Sequence, residues 1–455
     1  MKTTTSSIKQ TYHIIDHLQI NIEVFQNPYN FELNELFQMA TRINKKRSFL
    51  FVSTVLGKHL AVPPQIPLLA GNLLAMRYME VVHGYKDPRC EAVAKAIQTK
   101  EHMLELLDDL VRNPIPLPSP TTFIGFAETA TALGHAVFSS FQTNGTYIHT
   151  TRENVEELSS VISFEEEHSH ATSHRVYASG NELFDNEQEI VLVDDEITTG
   201  KTAINIIQTI QEQFPMKKRF TVISILDWRS EENREKFRQL EKELDITIHS
   251  VSLVDGQFTT IGEPVLQEET KETVPELEQD ITFLHTSALI EEADFIQVAS
   301  VNEDGTRNTS PYLKATGRFS ITLEDYYKSV EVQKKIADYV KQHRKGQKTL
   351  VLGTGEFMYI PMRIASFMGE GVYFHSTTRS PVYHSAADSY TVQNKFSFDS
   401  PENPGVTNYL YNIQPYQYDE IFIFIERMTS KTSIASLLHD LKQTFIDKIT
   451  VVTMA

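Results

Sequence analysis

Two adjacent carboxylates and a hydroxyl-rich turn are the residues of this chain best suited to chemistry. They lie in IVLVDDEITTGKT, residues 190–202, where Asp194 and Asp195 can accept hydrogen bonds from the hydroxyls of a ribose 2′,3′-diol. The turn that follows supplies hydroxyl groups, backbone N–H groups and one ammonium group, and such a turn at a helix N-terminus attracts phosphate. The stretch therefore predicts a sugar-phosphate site. Its predicted phosphate-binding residues are Thr198, Thr199, Gly200, Lys201 and Thr202.

A strand and a helix must position these groups. Residues 190–193 form a short β-branched run, which is typical of a parallel strand buried on both faces. Apolar residues then recur at helical spacing from Ile204 to Phe214, so we expect a helix after the turn. A Walker A loop also ends in Gly-Lys-Thr, but it requires glycine at the position of Asp195. An ATPase P-loop is therefore excluded.

This pattern resembles the phosphoribosyl-pyrophosphate (PRPP) motif of type I phosphoribosyltransferases, which has four apolar residues, two acids and a Thr/Ser-Gly turn. The resemblance implies an α/β fold with a parallel sheet flanked by helices and covered by a hood. It also implies transfer at C1 of PRPP, with Mg²⁺ as cofactor near Asp194 and Asp195, and a homodimer. The base-like acceptor is left open by the sequence, because base contacts in this fold come from variable loops.

A second anion site is predicted within residues 121–141, TTFIGFAETATALGHAVFSSF. Residues 123–126 read as a strand, a loop of small residues follows, and a helix is expected from residue 132. In type I enzymes the loop after the first core strand holds the pyrophosphate, and this segment lies where that loop belongs. Glu128 departs from that role, because a carboxylate suits Mg²⁺ or the incoming base better than a diphosphate. The candidate ligand contacts are Glu128, Thr129, Ala130 and Thr131.

Residues 151–179 are rich in histidine, and the resemblance implies a mobile loop here that closes over the reacting sugar. His168, His170 and Arg175 would then donate hydrogen bonds to the departing diphosphate. The His-x-His spacing beside residues 165–167, all glutamates, is also that of metal ligands. A solvated polar loop is the third interpretation, and all three stay open.

The second half of the chain forms a separate α/β unit by its pattern. Residues 263–280 hold seven acids and two prolines, a composition typical of a linker, so we place the domains at 1–275 and 276–455. Beyond the linker, helical and strand patterns alternate, which indicates a parallel sheet with ligands at its carboxyl edge, as in a Rossmann-like domain. Upstream of the motif, Asn30 is predicted to cap a helix. That helix would carry Leu33, Leu36, Phe37 and Ala40 on one face.

Two loops in the second half lie at predicted strand ends and suggest a further anion site. One contains Gly353, Gly355 and Glu356, but Met358 stands where a dinucleotide fingerprint needs its third glycine, so an NAD site is not supported. The other holds Thr378, Arg379 and Ser380, whose hydroxyls and guanidinium suit a phosphate or carboxylate. An intramolecular ion pair of Arg379 is the alternative.

A second resemblance covers nearly the whole chain. TRSP at residues 378–381, preceded by LGTGEFMYIP, resembles the TRSP domain, which lies C-terminal to a phosphoribosyltransferase domain in proteins of tellurium-resistance-type bacterial gene clusters. The transferase segments of that family carry LGKH and GFAETATALGH strings, which match residues 56–59 and 125–135. The resemblance implies functional roles for Lys58 and His59 as contacts of the diphosphate or the base.

Composition narrows the possible partners and the expected location of the protein. Of 455 residues, 40% are hydrophobic and 22% charged, and the net charge of −18 disfavours a nucleic-acid surface. The single cysteine, Cys90, excludes an internal disulfide and fits a reducing cytoplasm. The N-terminal residues lack the apolar region of a signal peptide, and no run of about 20 apolar residues exists. We therefore expect a soluble cytoplasmic protein without a nucleic-acid or membrane partner.

The sequence thus predicts a pentosyltransferase that binds PRPP with Mg²⁺ and makes or breaks an N-ribosidic bond to a base-like acceptor, with the TRSP domain processing or sensing the product. The candidate catalytic residues are Asp194, Asp195, Lys58, His168, His170 and Arg175. Two alternatives remain. One is a non-catalytic PRPP or nucleotide sensor in a stress-response cluster, and the other is a metal-dependent hydrolase built on the histidine-rich loop.

Overall fold

Two sheets organise the computed structural model, one in each half of the chain, and helices flank them. The described residues are 8–43, 47–165, 173–178, 180–266, 275, 277–387 and 389–455. Among these residues, no helix is both long enough and apolar enough to cross a membrane.

The first sheet is built around the strand that precedes the two carboxylates. That strand, Glu189–Val193, pairs in parallel with a neighbour on each side, and all five of its residues are buried. The doubly buried strand predicted from the apolar run is confirmed. The five central strands are parallel, and the strands outside them are antiparallel. In spatial order the strands are Ile8–Ile15, Leu18–Gln26, Thr247–Ile261, Arg219–Asp227, Glu189–Val193, Thr121–Gly125, Gly145–His149 and Ile321–Thr322.

The second sheet is parallel throughout, as the alternating pattern predicts. Its central strand, Glu420–Ile425, is buried along its whole length. Together the two sheets confirm the expected α/β class. The strands lie in the order Asp280–His285, Lys448–Thr453, Glu420–Ile425, Thr349–Gly353 and Val372–Ser376.

Helices and short strand pairs complete the architecture. The helices are Leu33–Leu36, Gln65–His83, Cys90–Thr99, Met103–Arg112, Ala130–Phe138, Lys201–Gln213, Glu231–Leu244, Leu323–Lys341, Tyr359–Phe367 and Ala435–Leu441. The short pairs are Phe37–Thr41 with Phe49–Ser53, Ile162–Glu165 with Ser173–Val176, Phe295–Ile296 with Tyr312–Leu313, Lys395–Asp399 with Thr407–Tyr411, and Ser300–Val301 with both Asn154–Val155 and Arg307–Asn308.

One helix prediction is wrong in both its cap and its extent. The N-cap is Glu32 and not Asn30. The helix expected after Asn30 covers only Leu33–Leu36, and the chain continues as the strand Phe37–Thr41. This strand pairs antiparallel with Phe49–Ser53, from Phe37 opposite Ser53 to Thr41 opposite Phe49. Cross-strand pairing, which local periodicity does not reveal, therefore overrides the helical spacing of the apolar residues.

The two halves interlock, because the chain returns to the first sheet after it has entered the second. Asp280–His285 already belongs to the second sheet, yet Ile321–Thr322 pairs antiparallel with Gly145–His149 at the edge of the first. The last long strand of the first sheet ends at Ile261. Residues 267–274 and 276 lie outside the described part of the chain, so the predicted division at 275 stays a prediction.

A continuous aromatic core joins the halves. The ring of His135, in the helix Ala130–Phe138, stacks on that of Tyr359, in the helix Tyr359–Phe367, with centroids 3.7 Å apart and planes 7° apart. The Tyr359 hydroxyl lies 3.0 Å from that of Tyr326. All three side chains are buried. Packing of this kind holds the two sheets in a defined relation, which matters for the residues that meet between them.

Candidate active site

The two carboxylates lie where the central strand ends. Asp194 and Asp195 follow Glu189–Val193 directly, and the Asp195 N–H donates a 2.9 Å hydrogen bond to Asp194 Oδ1. The chain then makes a short parallel pairing through Glu196–Ile197 with the end of Arg219–Asp227. Because the acids follow the carboxyl end of a parallel strand, they lie at the carboxyl edge of the sheet, as the sequence predicts.

The turn after the acids opens the helix Lys201–Gln213, and Gly200 makes the turn possible. Its φ of 75° lies in the left-handed region, and it caps the helix. A Cβ at this position would also meet the ring of Phe237 and lie 3.2 Å from the side chain of Arg229. Both constraints favour glycine at this position. The first turn of the helix that follows has backbone N–H groups without partners inside the helix.

The second predicted loop lies on the neighbouring strand. Thr121–Gly125 pairs in parallel with Glu189–Val193, so the two loops leave the same edge of the sheet. The peptide bond between Ala127 and Glu128 is cis. Lys58 Nζ donates a hydrogen bond to the Thr129 hydroxyl. This contact supports the expectation, based on the resemblance, that Lys58 and this loop act together.

A cavity of about 840 Å³ brings both loops together. Residues from the hairpin Phe37–Thr41 and Phe49–Ser53 and from the loop after it form another part of its wall. The lining residues that the sequence singles out are Lys58, His59, Glu128, Thr129, Asp194, Asp195, Thr198, Thr199, Gly200, Lys201, Thr202, Arg379 and Ser380. Residues from both halves of the chain therefore line one cavity.

The loop of the second half is bound to the first half by Glu128. The Glu128 carboxylate accepts hydrogen bonds from the Thr378 hydroxyl at 2.9 Å and from the Arg379 N–H at 3.2 Å. Glu128 and Thr378 are both buried. The carboxylate expected to hold Mg²⁺ or the base is thus engaged in holding this loop, since a buried carboxylate requires such donors.

The structure separates two further groups of predicted contacts from the cavity wall. Ala130 and Thr131 are buried in the first turn of their helix, which begins two residues earlier than predicted, and the Thr131 hydroxyl donates to Glu128 O at 2.9 Å. Gly353 ends a strand, and the Gly355 N–H donates to the Thr377 hydroxyl at 2.9 Å. These polar groups satisfy one another and are not directed at a ligand.

Glu356 is also placed differently from its prediction as part of an anion site. Its carboxylate accepts hydrogen bonds from the Thr151 hydroxyl at 2.6 Å and from the Arg152 N–H at 2.8 Å, and it lies 3.4 Å from the Arg318 guanidinium. Arg152 lines the cavity. Glu356 therefore positions the segment that carries Arg152, and an anion site at a buried glutamate would be electrostatically unfavourable.

The histidine-rich loop is described only in part. His168 and His170 lie outside the described residues, so their predicted roles stay predictions. Arg175 belongs to the strand Ser173–Val176, and its guanidinium donates to Arg152 O at 3.4 Å. Arg175 is not among the residues that line the cavity. Its predicted contact with the diphosphate stays a prediction.

Two protein-family models match this chain. Residues 36–257 match the family described as phosphoribosyl transferase, and residues 315–441 match the TRSP domain C-terminal to that family. The chain joins a phosphoribosyl transferase domain to a TRSP domain. The predicted resemblances to the two domain families are confirmed, and the gene-cluster context stays a prediction. A comparison with curated proteins finds no match.

Solved structures of phosphoribosyltransferases are among those to which this chain is similar. The adenine phosphoribosyltransferase of Trypanosoma brucei is 19% identical, with a TM-score of 0.22 over 33% of this chain and 62% of that one. The Leishmania donovani adenine enzyme is 13% identical, with a TM-score of 0.26 over 48% and 77%. The Mycobacterium tuberculosis H37Rv orotate enzyme is 16% identical, with a TM-score of 0.19 over 44% and 93%. These TM-scores are too low to carry a functional conclusion.

Three arginines of the transferase domain line the cavity although the sequence analysis assigns no role to them: Arg42, Arg47 and Arg152. Arg47 Nη2 lies 2.7 Å from Glu196 Oε1, and both side chains are largely buried. The only available signal was the basic run KKR at residues 45–47, which directly precedes an apolar strand. Its partner is 149 residues away, so the pair could not be inferred locally.

His59 is a buried polar residue of the cavity wall. Its side chain is 3% exposed. Burial, reinforced by the charge of Lys58, lowers the pKa of His59 well below 6.5. Its Nε2 has no hydrogen-bond partner within the described part of the chain. A buried imidazole nitrogen without a partner is energetically unfavourable, and His59 lines the cavity, so this atom is a candidate contact for a ligand.

Buried histidines predict how stability depends on pH. Burial lowers the pKa of His149 and that of His375 to about 4, and lowers the pKa values of His59 and His135 well below 6.5. Below pH 6.5 the unfolded chain therefore binds more protons than the folded chain. We expect each histidine to lower the free energy of unfolding by up to about 1.4 kcal/mol per pH unit there.

Thermal unfolding at pH 7.5, 6.5 and 5.5 measures this effect. The unfolding temperature should fall between pH 6.5 and 5.5, a range above that in which ordinary carboxylates titrate. His375→Asn should reduce the pH dependence, whereas substitution of the exposed His102 by Gln should leave it unchanged. Equal unfolding temperatures at pH 6.5 and 5.5 would contradict the prediction.

Proposed function

We propose that the cavity binds PRPP and that the chain transfers the phosphoribosyl group to or from a base-like acceptor. The observation that carries this proposal is the joint lining of one cavity by Asp194, Asp195, the turn 198–202 and the Lys58–Thr129 pair. The acids suit the ribose hydroxyls, the turn suits the 5′-phosphate, and the lysine suits the diphosphate. Each part of PRPP thus has a complementary group, and the family match supports the same class of reaction.

Charge in the cavity also favours an anionic substrate. Six cationic side chains line it beside four carboxylates, although the whole chain has a net charge of −18. The cationic residues are Arg42, Arg47, Lys58, Arg152, Lys201 and Arg379. A locally positive cleft attracts a phosphorylated ligand and raises its local concentration.

The donor set fits Mg²⁺ that enters with the substrate. Mg²⁺ in nucleotide sites takes one or two protein carboxylates together with substrate phosphates and water, and Asp194 and Asp195 could supply the carboxylates. Over the described residues, no group of three or more histidine, cysteine or acidic side chains is placed to hold a metal ion. When bound, Mg²⁺ would neutralise charge on the diphosphate leaving group.

The protein's own residues would stabilise both ends of the reaction. As the C1–O bond to diphosphate breaks and the bond from C1 to the acceptor nitrogen forms, positive charge develops on the ribose ring. The carboxylates of Asp194 and Asp195 are well placed to stabilise that charge, while Lys58 would receive the negative charge of the departing diphosphate. Thr129 holds the Lys58 ammonium in position, so little reorganisation is required during the step.

Diphosphate release tests this proposal. The protein is incubated with PRPP, Mg²⁺ and individual purine, pyrimidine and pyridine bases, and diphosphate is measured. We expect release that depends on one acceptor class. Tight PRPP binding without release for any acceptor would instead favour a sensor, and the absence of PRPP binding would contradict both functions.

A further inference from the structure

The TRSP domain completes the cavity of the transferase domain. Arg379, Ser380 and Pro381 line it beside Lys58 and His59. The loop is anchored through its backbone, because the Arg379 N–H donates to the buried Glu128 carboxylate at 3.2 Å. An anchored backbone leaves the side chain of Arg379 for other contacts. The loop is thus a fixed part of the cavity wall.

The Arg379 guanidinium has no ion pair within the described part of the chain, unlike Arg47, which lies 2.7 Å from Glu196. Among the described residues, the alternative of an ion pair between Arg379 and an acid is therefore not realised. An arginine that is half-buried in a ligand cavity and lacks a carboxylate partner is suited to bind a carboxylate or phosphate with two parallel hydrogen bonds.

Tyr411 connects His59 to this loop. The Tyr411 hydroxyl donates to Ser380 O at 2.7 Å and accepts from the Val382 N–H at 2.8 Å. The His59 ring packs against the Tyr411 ring with centroids 5.5 Å apart. Asn412 Nδ2 also donates to His59 O at 2.9 Å. Tyr411 therefore contacts both the His59 ring and the loop that carries Arg379, and both His59 and Arg379 line the cavity.

The charges that PRPP would use lie on other elements. Lys201 belongs to the turn that suits the 5′-phosphate, Lys58 is bonded to Thr129, and Arg47 is paired with Glu196. Arg379 is the cation contributed by the TRSP domain to the lining. A cavity of about 840 Å³ lies in the upper part of the range for ligand pockets, so it can hold a second molecule beside PRPP.

We propose that the TRSP domain supplies the acceptor subsite of the transferase, and that the acceptor is a nitrogen heterocycle with an anionic substituent. Arg379 binds the carboxylate or phosphate of that substituent, and His59 Nε2 forms a hydrogen bond with the heterocycle. The inference rests on the proposed function, because it names the second substrate of the same site. The TRSP domain then acts on substrate selection and not on a separate later step.

Pairs of acceptors that differ in one anionic group, and substitutions of Arg379 and of a control arginine, test this subsite. The acceptors are orotate against uracil, nicotinate against nicotinamide, and an aminopyrimidine methanol phosphate against its alcohol, so that carboxylate and phosphate are examined separately. Calorimetry measures acceptor binding to the PRPP-loaded full-length protein, and diphosphate release measures turnover. Arg379→Gln is compared with Arg379→Lys and with substitution of the exposed Arg112 by Gln.

We expect one anionic member to bind at least about tenfold more tightly than its neutral partner. Arg379→Gln should weaken the binding of that anionic acceptor by about 100-fold, and Arg379→Lys should weaken it by less. Neither substitution should change the affinity for PRPP by more than about twofold. Arg112→Gln should change the affinity for neither the acceptor nor PRPP. His59→Gln should weaken anionic and neutral acceptors alike.

Three outcomes overturn the inference while PRPP binding persists. They are equal binding of anionic and neutral members, binding of no anionic member, and an Arg379→Gln variant that loses PRPP affinity as strongly as acceptor affinity. The last would assign Arg379 to the diphosphate. A protein that fails to bind PRPP at all would instead overturn the proposed function, and this inference with it.

Discussion

The double substitution of Asp194 and Asp195 by Asn is expected to weaken PRPP binding by at least about 100-fold, while the protein still folds. Each hydrogen bond from a ribose hydroxyl to a carboxylate contributes about 1.5–3 kcal/mol, and both would be reduced together. The carboxylates lie at the edge of the sheet and are only half-buried, so their removal should not disturb the core. Asparagine keeps nearly the same shape and removes the charge.

Calorimetric titration of PRPP with Mg²⁺ measures this effect, and circular dichroism with thermal unfolding checks the fold. Glu212→Gln is the matched control, because Glu212 is an exposed acid in the helix that follows the motif. The control should bind PRPP as the unchanged protein does. An unaltered affinity in the double variant would show that the ribose does not bind at these acids.

Replacement of Arg318 by Ala is expected to produce the largest loss of stability. Its guanidinium is buried, with 2.8 Å to Glu426 and 3.4 Å each to Glu153 and Glu356. Removal would leave Glu356 and Glu426 without this cation in the region where the two sheets meet, while Glu153 would keep Arg427 at 3.0 Å. Breaking a buried pair in this way costs about 3–5 kcal/mol in the free energy of unfolding.

The same variant should show a characteristic pH dependence. Burial alone would raise the pKa of Glu356, but the charge of Arg318 and hydrogen bonds from Thr151 and Arg152 lower it overall below its usual range. A lowered carboxylate pKa contributes stability above the unfolded-state pKa of about 4.5, and that contribution is lost as pH falls further. The deficit of the variant should therefore be largest above pH about 5 and smaller below it.

Thermal unfolding of Arg318→Ala and Arg307→Ala, each across this pH range, provides the comparison. Arg307 also forms an arginine–glutamate pair between the two parts of the chain, with Glu156, but its side chain is 57% exposed. Solvent screens that pair, so its loss should barely change the unfolding temperature. Equal effects of the two substitutions would rule out the buried network as a main source of stability.

Local chemistry accounts for the parts of the site that could be predicted. The run at residues 190–193, the acids after it and Gly200 lie within a few residues of one another, and each has a conformational preference of its own. Hydrophobic periodicity also indicated the alternation of strands and helices from which the second sheet is built. The prediction after Asn30 was wrong because its apolar residues suit either a helix or a hairpin, and the strand Phe49–Ser53 decides between them.

The sequence by itself determined a strand, two acids and a phosphate-binding turn, because short-range hydrophobic and backbone preferences specify such a unit. Only the tertiary structure decided that Glu128 holds a loop 250 residues away, and that Arg379 therefore lines the same cavity as Asp194. The pairing of Glu128 with Thr378 depends on how two separately patterned sheets bury their surfaces against each other. That docking creates contacts between distant residues, which no local periodicity or motif records.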